Sequence, residues 1–422
     1  MNLKIKNDFQ KNFLKLFSGT IIGQLIPILA TPLLARIYSP EDIGIFALYF
    51  SVISIGTGII CMKTDQVIVL PEKDNEAWRI YKIALKISKY LSFFCFCIFI
   101  IAKGFSLLEL LNDIPNWWGL IGLHFFINGI FQANTFLLNR FKFFGAIGKS
   151  KIIKGVVFTL LQLALYEFNE YGLISGALIA SLVTVFFMES EISKYLAKPK
   201  KNQRSINIGF NHIERNLLVK HKNFPIYTTS NALLNSTSNN LPMLLLGELF
   251  SFRITGLYSW ANRIIQTPMS FILSSLQQVF YQEVASRVSQ NKSIYKLVLN
   301  TYKKLFLFGL LPYGVMMIFA PHIFSFVFGE EWREAGTFTQ LLIPWFFIMF
   351  LNSPITSIIL VLNKQKKYLF FEIILFFGRL LALVLGYFIF QEAFYSILLY
   401  SIVGLGFNLF LTFYLLNLAK NG

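Results

Sequence analysis

Twelve runs of about 20 apolar residues follow one another along this chain, and that pattern limits the fold more than any single motif does. Their approximate spans are 13–35, 42–62, 83–103, 117–137, 152–168, 172–190, 225–247, 255–277, 305–328, 337–361, 369–390 and 394–417. About 20 residues of helix cross the roughly 30 Å of bilayer hydrocarbon, and a helix satisfies its own backbone polar groups where water is absent. With 55% hydrophobic and 14% charged residues in 422, the chain cannot build a water-soluble surface. The expected fold is an all-α membrane protein of twelve transmembrane helices.

Charge sets the topology. With the N-terminus inside, the alternate inner segments carry 29 of the 38 Lys and Arg, while the outer loops keep only Arg36, Lys103, Arg253 and Arg333. That bias predicts cytoplasmic termini. The net charge of +17 is dealt out loop by loop beside membrane segments, so it argues for anionic lipid headgroups and against nucleic acid. The first apolar run exceeds the core of a signal peptide and lacks a small-x-small cleavage site, so it is expected to stay attached. Cys61, Cys95 and Cys97 show no pairing or ligand spacing, which predicts neither disulfide nor metal. No HExxH, nucleophile elbow, phosphate loop or DxD pair is present, and the expectation is a protein that is not an enzyme and uses no cofactor.

The chain reads as one bundle written twice. SPEDIGIFAL at 39–48 returns 212 positions later as SFRITGLYSW: Ser39 answers Ser251, Gly44 answers Gly256, and Phe46 answers Tyr258. Leu138-Asn139-Arg140 is echoed by Leu362-Asn363-Lys364. Span 1 corresponds to span 7 and span 4 to span 10, so the halves run in the same orientation, as in parallel transporter repeats. The predicted organisation is two pseudo-symmetric six-helix lobes, 1–192 and 225–422, joined by a basic cytoplasmic linker at 193–224. Within the linker, INIGFNHIERNLLV has the pattern of an amphipathic helix lying on the membrane surface. A cavity between the lobes is the expected site.

Polar residues inside the spans are the candidates for that site. In span 7, Thr228, Asn231, Asn235, Ser238 and Pro242 recur at helical spacing on one face, with Asn239 beside them. Such a face either hydrogen-bonds to neighbouring helices or walls a hydrated cavity. Span 1 repeats the theme with Thr20, Gln24, Pro27 and Thr31. Arg263 in span 8 and Arg379 in span 11 must face protein or water, since an arginine at that depth costs about 2.5–3.5 kcal/mol. Either is a structural ion pair or an anion site. Glu372 lies seven residues from Arg379, about 10.5 Å along a helix, too far for a direct bond. Lys15, Lys86 and Lys89 sit near inner ends, where a lysine can snorkel. Asp65 and Glu189 are at inner ends as well, leaving Glu372 as the acid well inside a span.

LLARIYSPEDIGIFALYFSV, TDQVIVLPEKDNEA and GLYSWANRIIQTPMS together resemble the polysaccharide-repeat-unit flippases, the O-antigen and capsule translocases of the multidrug/oligosaccharidyl-lipid/polysaccharide exporter superfamily. The resemblance covers nearly the whole chain and places Tyr258, Arg263 and Pro268 on the family's Tyr-to-Arg-to-Pro pattern. It implies a bacterial inner-membrane protein that carries a polyprenyl-diphosphate-linked oligosaccharide to the outer leaflet by alternating access, for surface polysaccharide such as lipopolysaccharide. Implied partners are the bilayer, a polysaccharide polymerase and chain-length machinery. Span 1 departs from the family in its shortage of charge, and Arg379 matches no family position. An ion-coupled drug antiporter of the same superfamily is the alternative, and it would want a carboxylate in its cavity. A membrane polysaccharide polymerase is the other, and it would want a sizeable outer loop.

Overall fold

The computed structural model describes residues 18–105, 119–195, 211–362 and 364–421. Lys15, the linker stretch 196–210 and Asn363 lie outside them. Among the described residues there is no strand, and twelve long helices take up the twelve apolar runs. They are α1 (Ser18–Ile37), α2 (Pro40–Ile59), α3 (Asp74–Gly104), α4 (Ile121–Arg140), α5 (Phe144–Ala164), α6 (Glu170–Tyr195), α7 (Thr229–Leu249), α8 (Phe252–Ser289), α9 (Tyr295–Phe328), α10 (Arg333–Asn352), α11 (Gln365–Phe390) and α12 (Ala393–Asn421). Nine of the described helices are long and apolar enough to cross a membrane. The other three long helices, α5, α7 and α8, are the ones whose sequences interleave lysine, amide, hydroxyl and arginine with the apolar residues. The protein is a multi-pass membrane protein.

The chain forms two compact units, and the division falls inside α2 and inside α7. Unit 1 takes residues up to Tyr38 and Ile45–Leu241; unit 2 takes Ser39–Gly44 and Pro242–Gly422.

In unit 1, α5 packs on α6, α3 on α4, and α4 on α6. Trp78, Tyr81, Leu137, Ile147 and Met188 belong to one buried apolar cluster. α1 meets α5 through Gly19, Gly23, Gly148 and Gly155, where an added Cβ would strike the backbone opposite, so the two helices approach as closely as small-residue interfaces in membranes allow. Arg140 ends α4 and pins the connection from α2 to α3. Its guanidinium donates to Asp74 Oδ1 at 2.8 Å and to the Pro71 carbonyl at 2.6 Å, which gives the TDQVIVLPEKDNEA segment its fixed shape.

The linker helix differs from the surface helix expected. Residues His212–Lys220 dock on α3: Lys86 pairs with Glu214 at 2.9 Å and Lys220 with Glu76 at 3.0 Å. Glu214 also accepts from the Asn211 amide at 3.0 Å, closing a capping box, and Leu217 packs on the apolar cluster. Two ion pairs and one apolar contact outweigh a lipid surface here, and Lys86 has a protein partner instead of snorkelling.

In unit 2, α9 packs on α10, α11 on α12, and α10 on both α8 and α12. Span 10, read as one run over 337–361, is two helices: α10 ends at Asn352, a turn carries Pro354, and a short helix follows at Ser357–Val361. Asn352 braces that break, donating to the Asn408 carbonyl at 2.8 Å and accepting from Tyr302 at 2.8 Å.

The sequence echo has a physical meaning. Ser39 and Asp42 cap α2 reciprocally, with the Ser39 hydroxyl donating at 2.7 Å and the Asp42 amide returning at 3.2 Å. Ser251 caps α8 by accepting from the Ile254 amide at 3.2 Å. Gly44 and Gly256 then face each other within unit 2: a Cβ on Gly44 would strike the Phe252 carbonyl, and one on Gly256 the Pro40 carbonyl. The repeated glycine is where the start of α2 and the start of α8 touch.

Candidate functional site

Helix α8 places Arg263 one turn after Trp260. The guanidinium carbon lies 5.7 Å from the Trp260 ring centre, and that indole leans on Trp332 with ring centres 4.8 Å apart. Trp260 and Trp332 are both fully buried, whereas Arg263 is half-buried. The Trp260 indole thus lies beside the cation, and Arg263 as a whole is only partly buried.

Arg379 is placed differently. It is 9% exposed, 4.4 Å from the Trp345 ring centre and 5.7 Å from that of Tyr400. Tyr258 from α8 meets Tyr400 edge-on at 6.5 Å between centres, so α8, α10, α11 and α12 each contribute to the enclosure. No carboxylate lies within ion-pair distance of Arg379 among the described residues, and its Nε has no hydrogen-bond partner. A guanidinium is weakly hydrated and stacks on aromatic faces, which is why it can be kept here without an acid. The structure does not bring Arg379 and Arg263 into one cluster. Each has its own tryptophan.

In unit 1 the α7 stripe resolves into two faces. Ser236 donates to the Ser54 carbonyl at 3.1 Å, and Asn240 donates to Ser54 Oγ at 3.2 Å, so these two residues, which the stripe omitted, supply the bonds to α2. Asn231, Asn235 and Asn239 are exposed and Ser238 is half-buried; Asn239 reaches only its neighbour Asn235, at 3.3 Å. Interhelical bonding therefore accounts for one polar face of α7, and the amides singled out in the sequence belong to the other. Gln24 on α1 is exposed as well, whereas Thr31 is buried and bonded to the Pro27 carbonyl at 3.0 Å.

Two cations were not among the sequence candidates. Lys151 lies just before the span read at 152–168 and Lys154 just inside it, and α5, which begins at Phe144, carries both within the helix. Lys151 donates to Thr20 at 2.9 Å, and Lys154 lies 5.0 Å from the Phe131 ring centre. The available signal was the spacing of Lys151 and Lys154, one helical turn apart, in line with the small face of Gly148 and Gly155. Glu189, placed at an inner end, is bonded inside unit 1 by Tyr81 at 3.2 Å and Asn134 at 3.1 Å. His124 is buried between Tyr49 at 3.0 Å and Ser181 at 3.5 Å, in keeping with a packing role.

The sequence pattern of the polysaccharide biosynthesis protein family matches residues 33–337, well over half of the chain. The protein belongs to that family. No curated protein matches it by sequence alone. Among solved structures, it is similar to the lipid II flippase MurJ in an inward closed conformation, with a TM-score of 0.70 at 15% identity over 96% of this chain and 87% of that one. It is similar too to an inward-facing multidrug resistance MATE family transporter of the MOP superfamily, with a TM-score of 0.65 at 14% identity over 97% and 99% of the two chains. At such identities the likeness defines the fold, which for this polysaccharide biosynthesis protein is that of the MATE and MurJ proteins.

Proposed function

We propose that this protein translocates a polyprenyl-diphosphate-linked oligosaccharide repeat unit from the cytoplasmic to the outer leaflet of a bacterial inner membrane, by alternating access. The observation that carries the reading is Arg263, a half-buried residue inside a long helix with its cation beside the buried Trp260 indole, in a chain whose family is polysaccharide biosynthesis. A lipid-linked sugar has a diphosphate and a hydroxyl-rich head that hydrocarbon rejects. In this reading Arg263 takes the diphosphate, and Asn231, Asn235, Ser238, Asn239 and Gln24 offer amides and hydroxyls to the sugar. Arg379, enclosed by aromatic rings, contributes positive potential and holds Trp345 and Tyr400 in place. Moving two negative charges outward across a membrane that is negative inside is downhill by about 2 × 2.3 kcal/mol per 100 mV, so transport needs no carboxylate for coupling. The protein acts as a flippase and not as an enzyme, with both termini cytoplasmic.

Reconstitution in vesicles tests this directly. Arg263→Ala is expected to abolish translocation of a lipid-linked oligosaccharide while the protein still inserts, and Arg263→Lys to retain part of it, because the charge stays and the planar fork is lost. Wild-type translocation by a well-folded Arg263→Ala protein would remove the anion-site assignment.

A further inference from the structure

Helices α8 and α9 are consecutive, yet they pack on other elements and scarcely on each other: α8 on α10 and the Ser357–Val361 helix, α9 on α10 and α12. Val284, Ile294 and Val298 close the hairpin at its end. Beyond that point the two helices leave a groove of about 690 Å³ between them. Its floor is buried Phe280 and Leu305, and its rims are Val279 and Phe308, which are 66% and 54% exposed.

Among the described side chains the groove is polar at one end. Gln282 and Glu283 on α8 and Thr301 and Lys304 on α9 form a rung across it. At 1.5 Å per residue the rung lies about 9–13 Å from the hairpin end of each helix, and Leu276 and Phe308 lie about 8–10 Å deeper. The hairpin is the end that the charge pattern places in the cytoplasm, with Lys292, Lys296 and Lys303 close by. Glu283 on the rung is already paired with Arg287 at 2.7 Å, so the net charge offered there is positive. A cationic, hydrogen-bonding rung at the inner interface with an apolar trough rising into the hydrocarbon is complementary to an anionic lipid.

We infer that the α8–α9 groove is a docking site for a polyprenyl phosphate lipid of the inner leaflet, with Lys304 on the phosphate and the prenyl chain between Val279, Phe280, Leu305 and Phe308. The inference rests on the lipid-linked cargo proposed above and adds an inner-leaflet docking site, distinct from Arg263, where phosphate and tail are held before translocation. It also separates tail recognition from translocation.

Native mass spectrometry of the full-length protein in detergent, with undecaprenyl phosphate, undecaprenol or phosphatidylglycerol, reads the site without transport. Undecaprenyl phosphate should be retained at least tenfold better than either competitor. Lys304→Glu and the groove-filling Val279→Trp, both at exposed positions, should each lower its retention tenfold, and Arg263→Ala should leave it unchanged. A photoactivatable undecaprenyl phosphate analogue on the unaltered protein should crosslink to 276–283 and 304–308, so the outcome does not depend on any variant folding. Equal retention of phosphatidylglycerol, retention insensitive to Val279→Trp in a folded protein, or crosslinks elsewhere would overturn the docking site. Failure of the flippase reading would show instead as no translocation of a lipid-linked oligosaccharide by the unaltered protein in vesicles, with this binding intact.

Discussion

Both units keep cations inside long helices, and they keep them by different means. In unit 1, Lys151 donates to the Thr20 hydroxyl at 2.9 Å and Lys154 sits 5.0 Å from one phenyl ring. In unit 2, Arg263 and Arg379 lie against tryptophans, with Arg379 at 4.4 Å from Trp345. An ammonium is a compact, strongly hydrated charge that seeks an oxygen; a guanidinium is planar, weakly hydrated and stacks. Unit 1 thus gives Lys151 a hydroxyl and Lys154 a single phenyl ring, whereas unit 2 sets both its guanidiniums beside indoles. The contrast teaches that the C-terminal half holds its charges beside rigid rings, which is what the phosphate recognition proposed above would need.

The contrast breaks most visibly at Arg379. Exchanging it for methionine removes stacking worth about 2 kcal/mol, but it also removes a charge whose burial costs several kcal/mol without a carboxylate. Arg379→Met is therefore expected to raise the melting temperature by a few degrees while cutting translocation at least about tenfold. A fall in both would mean that the arginine is there to hold the fold, and unit 2 would lose its special standing.

The lysines of unit 1 should matter less. Lys151→Met with Lys154→Met is expected to lower translocation by about threefold to tenfold, since half-buried charges of this kind contribute about 0.3–0.7 kcal/mol each. A loss as large as that from Arg263→Ala, measured in the same vesicles, would make the two units equivalent in their use of cations.

Accessibility sharpens the comparison further. Cysteines at Asn231 and Asn235 should react with a membrane-impermeant thiol reagent at least about fivefold faster than a cysteine at Leu311, which is equally open in the structure but sits on a wholly apolar stretch of α9. Equal rates would place the α7 amides against lipid.

The smallest effect concerns the negative charge of unit 1. Asp65 is 1% exposed in the connection from α2 to α3, its Oδ1 accepts no hydrogen bond, and burial holds its carboxyl above the usual carboxylate range despite Lys63. A raised folded value means that ionised Asp65 destabilises the fold at neutral pH, and the penalty fades as pH falls through that value. Asp65→Asn should raise the melting temperature by about 2–4 °C at pH 7.5 and by less near pH 5. A lower melting temperature at both values would show that the carboxylate is needed.

Much of the architecture was legible in the sequence, because length and apolarity of a run are local properties that a bilayer reads directly. Among the described residues each of the twelve runs holds a long helix, span 10 with a break at Pro354, and the Ser39/Ser251 and Gly44/Gly256 echoes proved to be caps and a helix contact. The candidate site was legible in part: Arg263 and the exposed amides of α7 stood out as polar residues where apolar ones were expected. Ser236, Asn240, Lys151 and the Lys86–Glu214 pair did not, because what separates a packing residue from an open one is the helix that lies opposite.

By itself, then, the sequence determined a polytopic helical protein written twice, since each helix in a membrane must satisfy its backbone internally and announces itself by composition. Tertiary structure alone decided that the linker helix docks on α3, that one face of α7 is consumed by Ser54, and that Arg379 is enclosed by Trp345 and Tyr400 while Arg263 stays partly open. Those outcomes depend on contacts between residues far apart in the chain, and no local pattern fixes which helices become neighbours.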